Sequence, residues 1–119
     1  MRLKRLEKLK KEHVELSGEI DSLKEYLKDL VSKRVKTVAP RIVSQKLDIP
    51  YGDAVFLLRL AEKDKVLRKS YQVFTINDNF FLGEYDDSSD IPKSIENPAT
   101  GLKVARDNFV IDLVFHFIH

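Results

Sequence analysis

The stretch from Val38 to Leu67 constrains the fold most, because it predicts two short helices joined by a tight turn. Pro40 suits the first turn of a helix, where a missing backbone N–H costs no hydrogen bond. Pro50 disfavours helical geometry at the residue before it, so the first of these helices is expected to end at Asp48. The apolar residues fall where two packed helices bury their inner cluster: Ile42, Leu47, Ile49, Ala54, Leu57, Leu58 and Leu67.

A two-stranded ribbon is predicted behind the second helix, which is expected to run to Lys63 or Asp64. The segment Arg68–Ile76 alternates in the manner of a strand. Asn77-Asp78-Asn79 is a strong turn signal between apolar flanks, so Phe80–Leu82 should return as the second strand.

This order of helix, turn, helix and ribbon resembles the winged helix-turn-helix family. The resemblance rests on the run Val43-Ser44-Gln45-Lys46-Leu47-Asp48-Ile49-Pro50, followed by Ala54, Leu57 and Leu60. It implies a scaffold with several alternative functions, because winged helices bind DNA, RNA or other proteins.

The N-terminal residues repeat their apolar side chains with heptad spacing, which is typical of a coiled coil. We expect one coiled-coil helix over residues 1–36 that forms a homodimer, since twofold pairs are the commonest oligomers. The predicted oligomer interface consists of Leu6, Leu9, His13, Leu16, Ile20, Leu23, Leu27 and Leu30. Parallel pairing, antiparallel pairing and pairing with a different protein's helix all stay open.

His13 is the polar residue in this predicted seam. A polar residue there commonly fixes the register and the number of strands. Two facing imidazolium groups would repel each other, which would make the assembly sensitive to pH. The simpler interpretation is that His13 lies at the solvent-exposed edge of a coiled-coil interface that tolerates a polar residue.

The composition changes after Gly83, where Glu84–Asp90 is acidic and rich in turn-forming residues. Further on, Phe109–Ile118 alternates clearly and predicts a strand that is buried on its phenylalanine side. We therefore predict an α+β protein in three parts. These are the coiled-coil helix over 1–36, a winged helix-turn-helix over 37–83 and a small β-rich extension over 84–119.

Within the extension, Ile95–Leu102 resembles the Cys-Pro-x-Cys-Gly knuckle of a zinc ribbon, with Asn97 and Thr100 in the cysteine places. Small bacterial proteins that follow a winged helix with such a ribbon and a terminal apolar strand are similar to this chain. Because thiolates are missing, the resemblance implies a degenerate knuckle that is a turn, without zinc.

The chain contains no cysteine, which excludes disulfides and thiolate metal sites and favours a reducing compartment. Its N-terminus does not read as a signal peptide, and no segment reaches the ~18 apolar residues of a membrane span. We therefore expect a cytoplasmic protein.

Motifs for phosphate loops, nucleophile elbows and metalloproteases are missing from the sequence, so we predict no enzyme, catalytic residue, metal or cofactor. The end at Ile118-His119, in mid strand, leaves a fragment of a larger protein as an alternative.

The helix after Pro50 bears on the choice between binding DNA and binding protein. Major-groove reading uses Arg, Lys, Asn or Gln near the helix start, whereas Tyr51 and Asp53 stand there. The apolar pair Val55 and Phe56 suits a protein surface. The predicted partner-binding residues are Tyr51, Val55, Phe56 and Arg59.

Nucleic-acid binding is the alternative, because basic residues gather near the start of the ribbon and on the preceding helix. The net charge is only +2, but residues 1–37 carry 11 basic against 7 acidic residues and residues 83–119 carry 3 against 7. This asymmetry would steer an anionic partner to the front of the chain. The predicted phosphate-contacting residues are Arg41, Lys46, Lys63, Lys65, Arg68 and Lys69.

The leading functional hypothesis is a non-enzymatic oligomeric interaction or accessory subunit that uses its winged helix to bind another protein. Small accessory factors of bacterial defence or mobile-element systems are the analogy. The alternative is a dimeric winged-helix transcriptional regulator, in which the coiled coil sets the distance between two DNA-binding domains.

Overall fold

The computed structural model describes residues 2–118, and its elements place the chain in the predicted α+β class. The described residues contain four α-helices: α1 (Arg5–Glu12), α2 (Ser17–Ser32), α3 (Pro40–Leu47) and α4 (Tyr51–Lys63). They also contain six β-strands: β1 (Thr37–Val38), β2 (Leu67–Thr75), β3 (Phe81–Tyr85), β4 (Ser94–Glu96), β5 (Lys103–Ala105) and β6 (Phe109–Phe117).

The chain divides into two compact units. The first consists of Met1–Lys69 with Phe115–His119, and the second of Ser70–Val114. These bounds do not coincide with the predicted divisions after residues 36 and 83. The first unit includes the end of β6, which pairs there with β1 and places Val38 opposite Phe115.

The predicted continuous N-terminal helix is corrected by the structure, which interrupts it after Glu12. His13 leaves the helical conformation, with φ −127° and ψ 68°. A single 3-10 turn at Val14–Leu16 follows, and α2 begins at Ser17. Residues 2–36 therefore contain two α-helices where the heptad spacing predicts one.

Two ion pairs join α1 to α2 across this interruption. The Lys10 Nζ atom lies 2.7 Å from Asp21 Oδ1, and Lys24 pairs with Glu7. Because residue 10 pairs with 21 while residue 7 pairs with 24, the two helices run antiparallel. They form a helical hairpin within one chain.

Most of the predicted oligomer interface is buried inside this hairpin and the rest of the first unit. Five of its eight residues expose at most 2% of their surface: Leu6, Leu9, Ile20, Leu23 and Leu27. A coiled coil that packs these five against a second copy is incompatible with this arrangement, because the side chains are already buried. The heptad spacing is satisfied within the chain, since antiparallel helices bury leucine stripes as a coiled coil does. The other three residues, His13, Leu16 and Leu30, stay partly exposed.

The bounds of α3 and α4 agree with the starts and ends predicted from the sequence. α3 begins at Pro40, and its C-cap Asp48 has the left-handed φ of 53°. The hydroxyl of Ser44 donates to the backbone oxygen of Ile49 at 2.6 Å, which closes the turn before α4 begins at Tyr51. Of the predicted inner cluster, Ala54, Leu57, Leu58 and Leu67 are buried, while Ile42, Leu47 and Ile49 are half-buried.

α4 ends in a Schellman motif, which satisfies the last carbonyl groups of a helix. The Val66 N–H donates to the Ala61 oxygen and the Lys65 N–H to the Glu62 oxygen, both at 2.9 Å. Lys65 has a φ of 60°, the left-handed conformation that glycine usually supplies at this position. α2 ends in the same way, with Arg34 at a φ of 61°.

The larger sheet has the strand order β1-β6-β2-β3. β2 and β3 form the predicted antiparallel ribbon, with Val73 opposite Gly83 and Phe74 opposite Phe81. The turn between them includes Asn79 at a φ of 52°, as the Asn-Asp-Asn signal predicts.

β6 confirms the predicted C-terminal strand. Its phenylalanine face is buried only towards the end, since Phe115 and Phe117 are buried while Ile111 is 40% exposed.

The knuckle-like segment is a turn between β4 and β5, which pair as a separate two-stranded sheet. Asn97 is buried, and its Oδ1 atom accepts a hydrogen bond from the Ala99 N–H at 2.9 Å. Its backbone oxygen accepts from the Gly101 N–H at 2.7 Å, and Gly101 has the positive φ of 71°. Thr100 Oγ1 likewise accepts a hydrogen bond from the Leu102 N–H. The two side chains at the positions of the knuckle cysteines therefore stabilise the turn.

Candidate functional site

The exposed face of α4 carries the residues predicted to bind a partner. Tyr51 is 54% exposed and Phe56 is 48% exposed, so two large aromatic side chains of α4 face solvent. Val55 is half-buried. Arg59 is exposed and pairs with Glu62 one turn later, at 3.0 Å.

A small apolar depression of about 100 Å³ opens beside Phe56. Leu57 lines it from α4, and Leu16 lines it from the 3-10 turn before α2. The ring of His13 contacts the ring of Phe56 edge-on, with centroids 6.5 Å apart. The interruption of the N-terminal helix therefore builds one wall of this depression, because it brings His13 and Leu16 next to α4.

Two larger depressions lie beside it along α2. The first, of about 440 Å³, is lined by Gly18, Glu19, Ser22, Leu47, Asp48 and Ile49. The second, of about 480 Å³, is lined by Asp21, Ser22, Glu25, Tyr26, Lys46 and Leu47. The small depression shares Glu19 with the first, and the first shares Ser22 and Leu47 with the second. We call the three adjoining depressions the α2 groove.

The α2 groove is lined by both apolar and acidic side chains. Five carboxylates line it against the single cation of Lys46: Glu19, Asp21, Glu25, Asp48 and Asp53. Asp21 pairs with Lys10 and Glu25 with Lys28, whereas Asp48 and Asp53 are exposed. A groove of this composition favours an apolar ligand that also carries positive charge.

Tyr26 adds a hydrogen-bonding group at the far end of the α2 groove. Burial raises the pKa of its phenol above the usual value of 10.0, and the nearby Asp29 carboxylate raises it further. The phenol therefore stays protonated at neutral pH, so it can donate as well as accept a hydrogen bond.

The residues predicted to contact nucleic acid do not all come together. Lys63 and Lys65 line one open depression of about 400 Å³, with Arg5, Lys8 and Asp64. Lys46 lies instead among the carboxylates of the α2 groove. Arg41 is exposed on α3, while Arg68 and Lys69 lie on β2 and make contacts of their own.

Sequence reasoning missed the contributions of the hairpin to both surfaces. The α2 residues of the groove fall at polar positions of the predicted coiled coil, where solvent is the expected neighbour. Arg5 and Lys8 lie far along the chain from Lys63, so no spacing rule joins them. The signal that the sequence did carry was the apolar pair Val55 and Phe56, of which Phe56 is exposed, on a helix with a buried opposite face.

Within residues 2–118, no group of three or more His, Cys, Asp or Glu side chains is placed to hold a metal ion. No helix in the same residues is long and apolar enough to cross a membrane. Comparison of the chain with protein-family models, curated proteins and solved structures finds no match.

Proposed function

We propose that the chain is a non-enzymatic interaction or accessory subunit that binds another protein through the α2 groove and the exposed face of α4. The observation that carries this proposal is Phe56. This large aromatic side chain lines an apolar depression and is half exposed, and aromatic residues including Phe are enriched in protein interfaces.

The expected partner segment is a basic amphipathic helix. Helices dock in grooves through apolar side chains at positions i, i+3, i+4 and i+7. Residues 16 to 26 form one wall of the α2 groove and span about 15 Å at 1.5 Å per helical residue. A segment of about 10 residues fits that length. Lys or Arg on its flanks would meet the carboxylates that line the groove, which adds selectivity and speeds association.

The winged helix-turn-helix resemblance is part of this proposal. Its support is the order α3, tight turn, α4 and then the β2–β3 ribbon. In this arrangement the helix that DNA-binding members place in the major groove presents Tyr51 and Phe56 to a protein. The first turn of α4 carries Asp53, which would repel a phosphate backbone.

A labelled synthetic peptide tests the proposal. The peptide is a 12-residue amphipathic helix with leucine on one face and lysine on the other, titrated with the protein by fluorescence anisotropy. We expect binding of this peptide, and at least tenfold weaker binding of a peptide in which glutamate replaces lysine. Equal binding of both peptides, or of neither, would contradict the proposal.

Matched variants locate the binding surface. Phe56→Asp should abolish peptide binding, whereas Phe81→Asp should not, although Phe81 is equally exposed at 50% and lies on β3. Circular dichroism and thermal unfolding of both variants check that the fold is intact. Equal loss in the two variants would show that binding does not use the α2 groove.

A dimeric DNA-binding regulator is the second candidate, and the observation favouring it is the meeting of Lys63 and Lys65 in one basic depression. A regulator requires preference for one duplex sequence over others. Selection of duplexes from a random pool tests this: enrichment of a sequence motif supports a regulator, and an unenriched pool counts against it.

A further inference from the structure

The open depression at the C-terminal end of α4 concentrates positive charge from two distant parts of the chain. Arg5 and Lys8 reach it from α1, and Lys63 and Lys65 from the end of α4. Asp64 also lines it. The helical hairpin creates this meeting, because it places α1 beside the end of a helix more than fifty residues away in sequence.

The charges in this depression do not cancel. Asp64 supplies one carboxylate, and its Oδ2 atom is buried without a hydrogen-bond partner among the described residues. Glu12 lies 3.7 Å from Lys8, in an exposed pair of the kind that contributes little. Four cations against these two carboxylates leave two positive charges in excess.

Two arginines in this region are held in place by the protein backbone. The Arg5 Nη1 atom donates to the Asp64 oxygen at 3.1 Å, and the Arg2 Nη1 atom donates to the Lys65 oxygen at 3.2 Å. The bond from Arg5 caps the carbonyl of Asp64, the C-cap of α4, and its charge offsets the negative end of the helix dipole, while the bond from Arg2 holds the residue that follows. A guanidinium group has five N–H donors, so each arginine keeps donors for a ligand. A side chain that is already anchored loses less conformational entropy on binding.

We propose that this depression is a phosphate-binding site. A phosphate group carries up to two negative charges and three terminal oxygens, so it can meet several of these cations at once. The planar fork of Arg5 matches phosphate oxygens in a bidentate manner, while the lysines act as point charges. The phosphate belongs either to a small phosphorylated ligand or to a nucleic-acid backbone, because both offer the same chemistry. The proposal is independent of the α2 groove and its peptide, and its nucleic-acid source uses the same depression as the second candidate function.

Two titrations distinguish the sources of phosphate. Inorganic pyrophosphate is titrated calorimetrically, and a labelled random duplex is titrated by anisotropy at 50 and 200 mM salt. Saturable binding of pyrophosphate at one site indicates a small phosphorylated ligand. Duplex binding alone, with a slope of log K against log salt of about −2 to −3, indicates a nucleic-acid backbone. Absence of binding of both probes at 50 mM salt would overturn the proposal.

A pair of charge-reversed variants locates the site. Lys8→Glu combined with Lys63→Glu should weaken binding of the active probe by about tenfold or more. The control combines Lys28→Glu with Lys33→Glu, two exposed lysines of the α2 region outside the depression, and changes the net charge by the same amount. The control should stay within about threefold of the wild type. Equal weakening by both variants would assign the binding to net charge and overturn the site.

Discussion

The ring of His13 meets the ring of Phe56 edge-on, with centroids 6.5 Å apart and planes at 89°. This contact joins the interruption of the N-terminal helix to the exposed face of α4. Edge-to-face pairs contribute about 0.5–1.5 kcal/mol beyond their buried area. Because both rings are partly exposed, we expect a coupling energy near 0.5 kcal/mol in a double-mutant cycle of His13→Ala and Phe56→Ala. Urea unfolding measures it, and strictly additive effects would contradict the contact.

The leucines of the helical hairpin should stabilise a single chain. Leu6 and Leu27 are fully buried within it, so Leu6→Ala or Leu27→Ala is expected to cost about 2–5 kcal/mol of unfolding free energy. The loss should be the same at low and high protein concentration, because no second copy supplies the burial. Urea unfolding over a hundredfold range of concentration checks this. A loss that shrinks at high concentration would instead support the predicted coiled coil.

The sequence could not distinguish these two arrangements. A heptad stripe satisfies a coiled coil between chains and an antiparallel hairpin within one chain equally well. The hairpin needs an interruption near His13, but neither Gly nor Pro marks it; Gly18, the nearest glycine, lies inside α2. No local sequence signal therefore marks the interruption of the N-terminal helix, which is determined by tertiary packing.

Elements with local signals were predictable. Pro40 and Pro50 limit the starts of α3 and α4, and the Asn-Asp-Asn turn fixes the β2–β3 ribbon. The pairing of β6 with β1 was not predictable, because strand order depends on contacts between residues far apart in sequence. The same limit explains the site. Phe56 was visible as an exposed apolar residue, but the opposite wall of the α2 groove comes from residues 16–26.

Acid should weaken the link between α1 and α2. The hydrogen bond from Lys24, aided by the charge of Lys10, holds the pKa of Glu7 below its usual 4.5. A carboxylate with a depressed pKa stabilises the fold above its unfolded pKa, and this contribution is lost as the pH falls through the folded pKa. Wild type should therefore be more stable than Glu7→Gln at pH 6, and the gap should close towards pH 3.

Urea midpoints of both proteins between pH 6 and pH 3 measure this gap. Lys24→Met provides the control, because it removes the main cause of the shifted pKa. In that background Glu7→Gln should have a smaller effect at pH 6. High salt should also reduce the gap, since the Glu7 side chain is about half exposed. A gap that is constant over the whole pH range would contradict this role of Glu7.

The β4–β5 turn should depend on the Asn97 side chain as a hydrogen-bond acceptor. Asn97→Ala removes the bond to the Ala99 N–H and should destabilise the hairpin by about 0.5–1.5 kcal/mol. Asn97→Asp keeps an acceptor oxygen and should cost less, because a carboxylate also accepts this bond. Amide hydrogen exchange at β4 and β5 reports the local effect. Equal exchange rates in the two variants would show that the acceptor is not needed.

Lys65 and Arg34 offer a matched test of backbone strain against function. Both occupy the left-handed position after a helix, with φ of 60° and 61°, where residues with a Cβ atom are strained by about 1–2 kcal/mol. Replacing either residue with glycine relieves this strain, but the greater freedom of glycine in the unfolded chain offsets part of the gain in stability. Lys65→Gly and Arg34→Gly should therefore each raise the unfolding free energy by about 0.5–1 kcal/mol.

The two variants should differ in binding. Both remove one positive charge, but only Lys65 lines the basic depression. Lys65→Gly should therefore weaken binding of pyrophosphate or duplex several-fold while Arg34→Gly leaves it nearly unchanged. Such a result would show that a strained backbone is kept at residue 65 for the sake of its side chain, as strained residues at binding sites often are. If both variants gain stability and bind equally well, Lys65 has no part in a phosphate site.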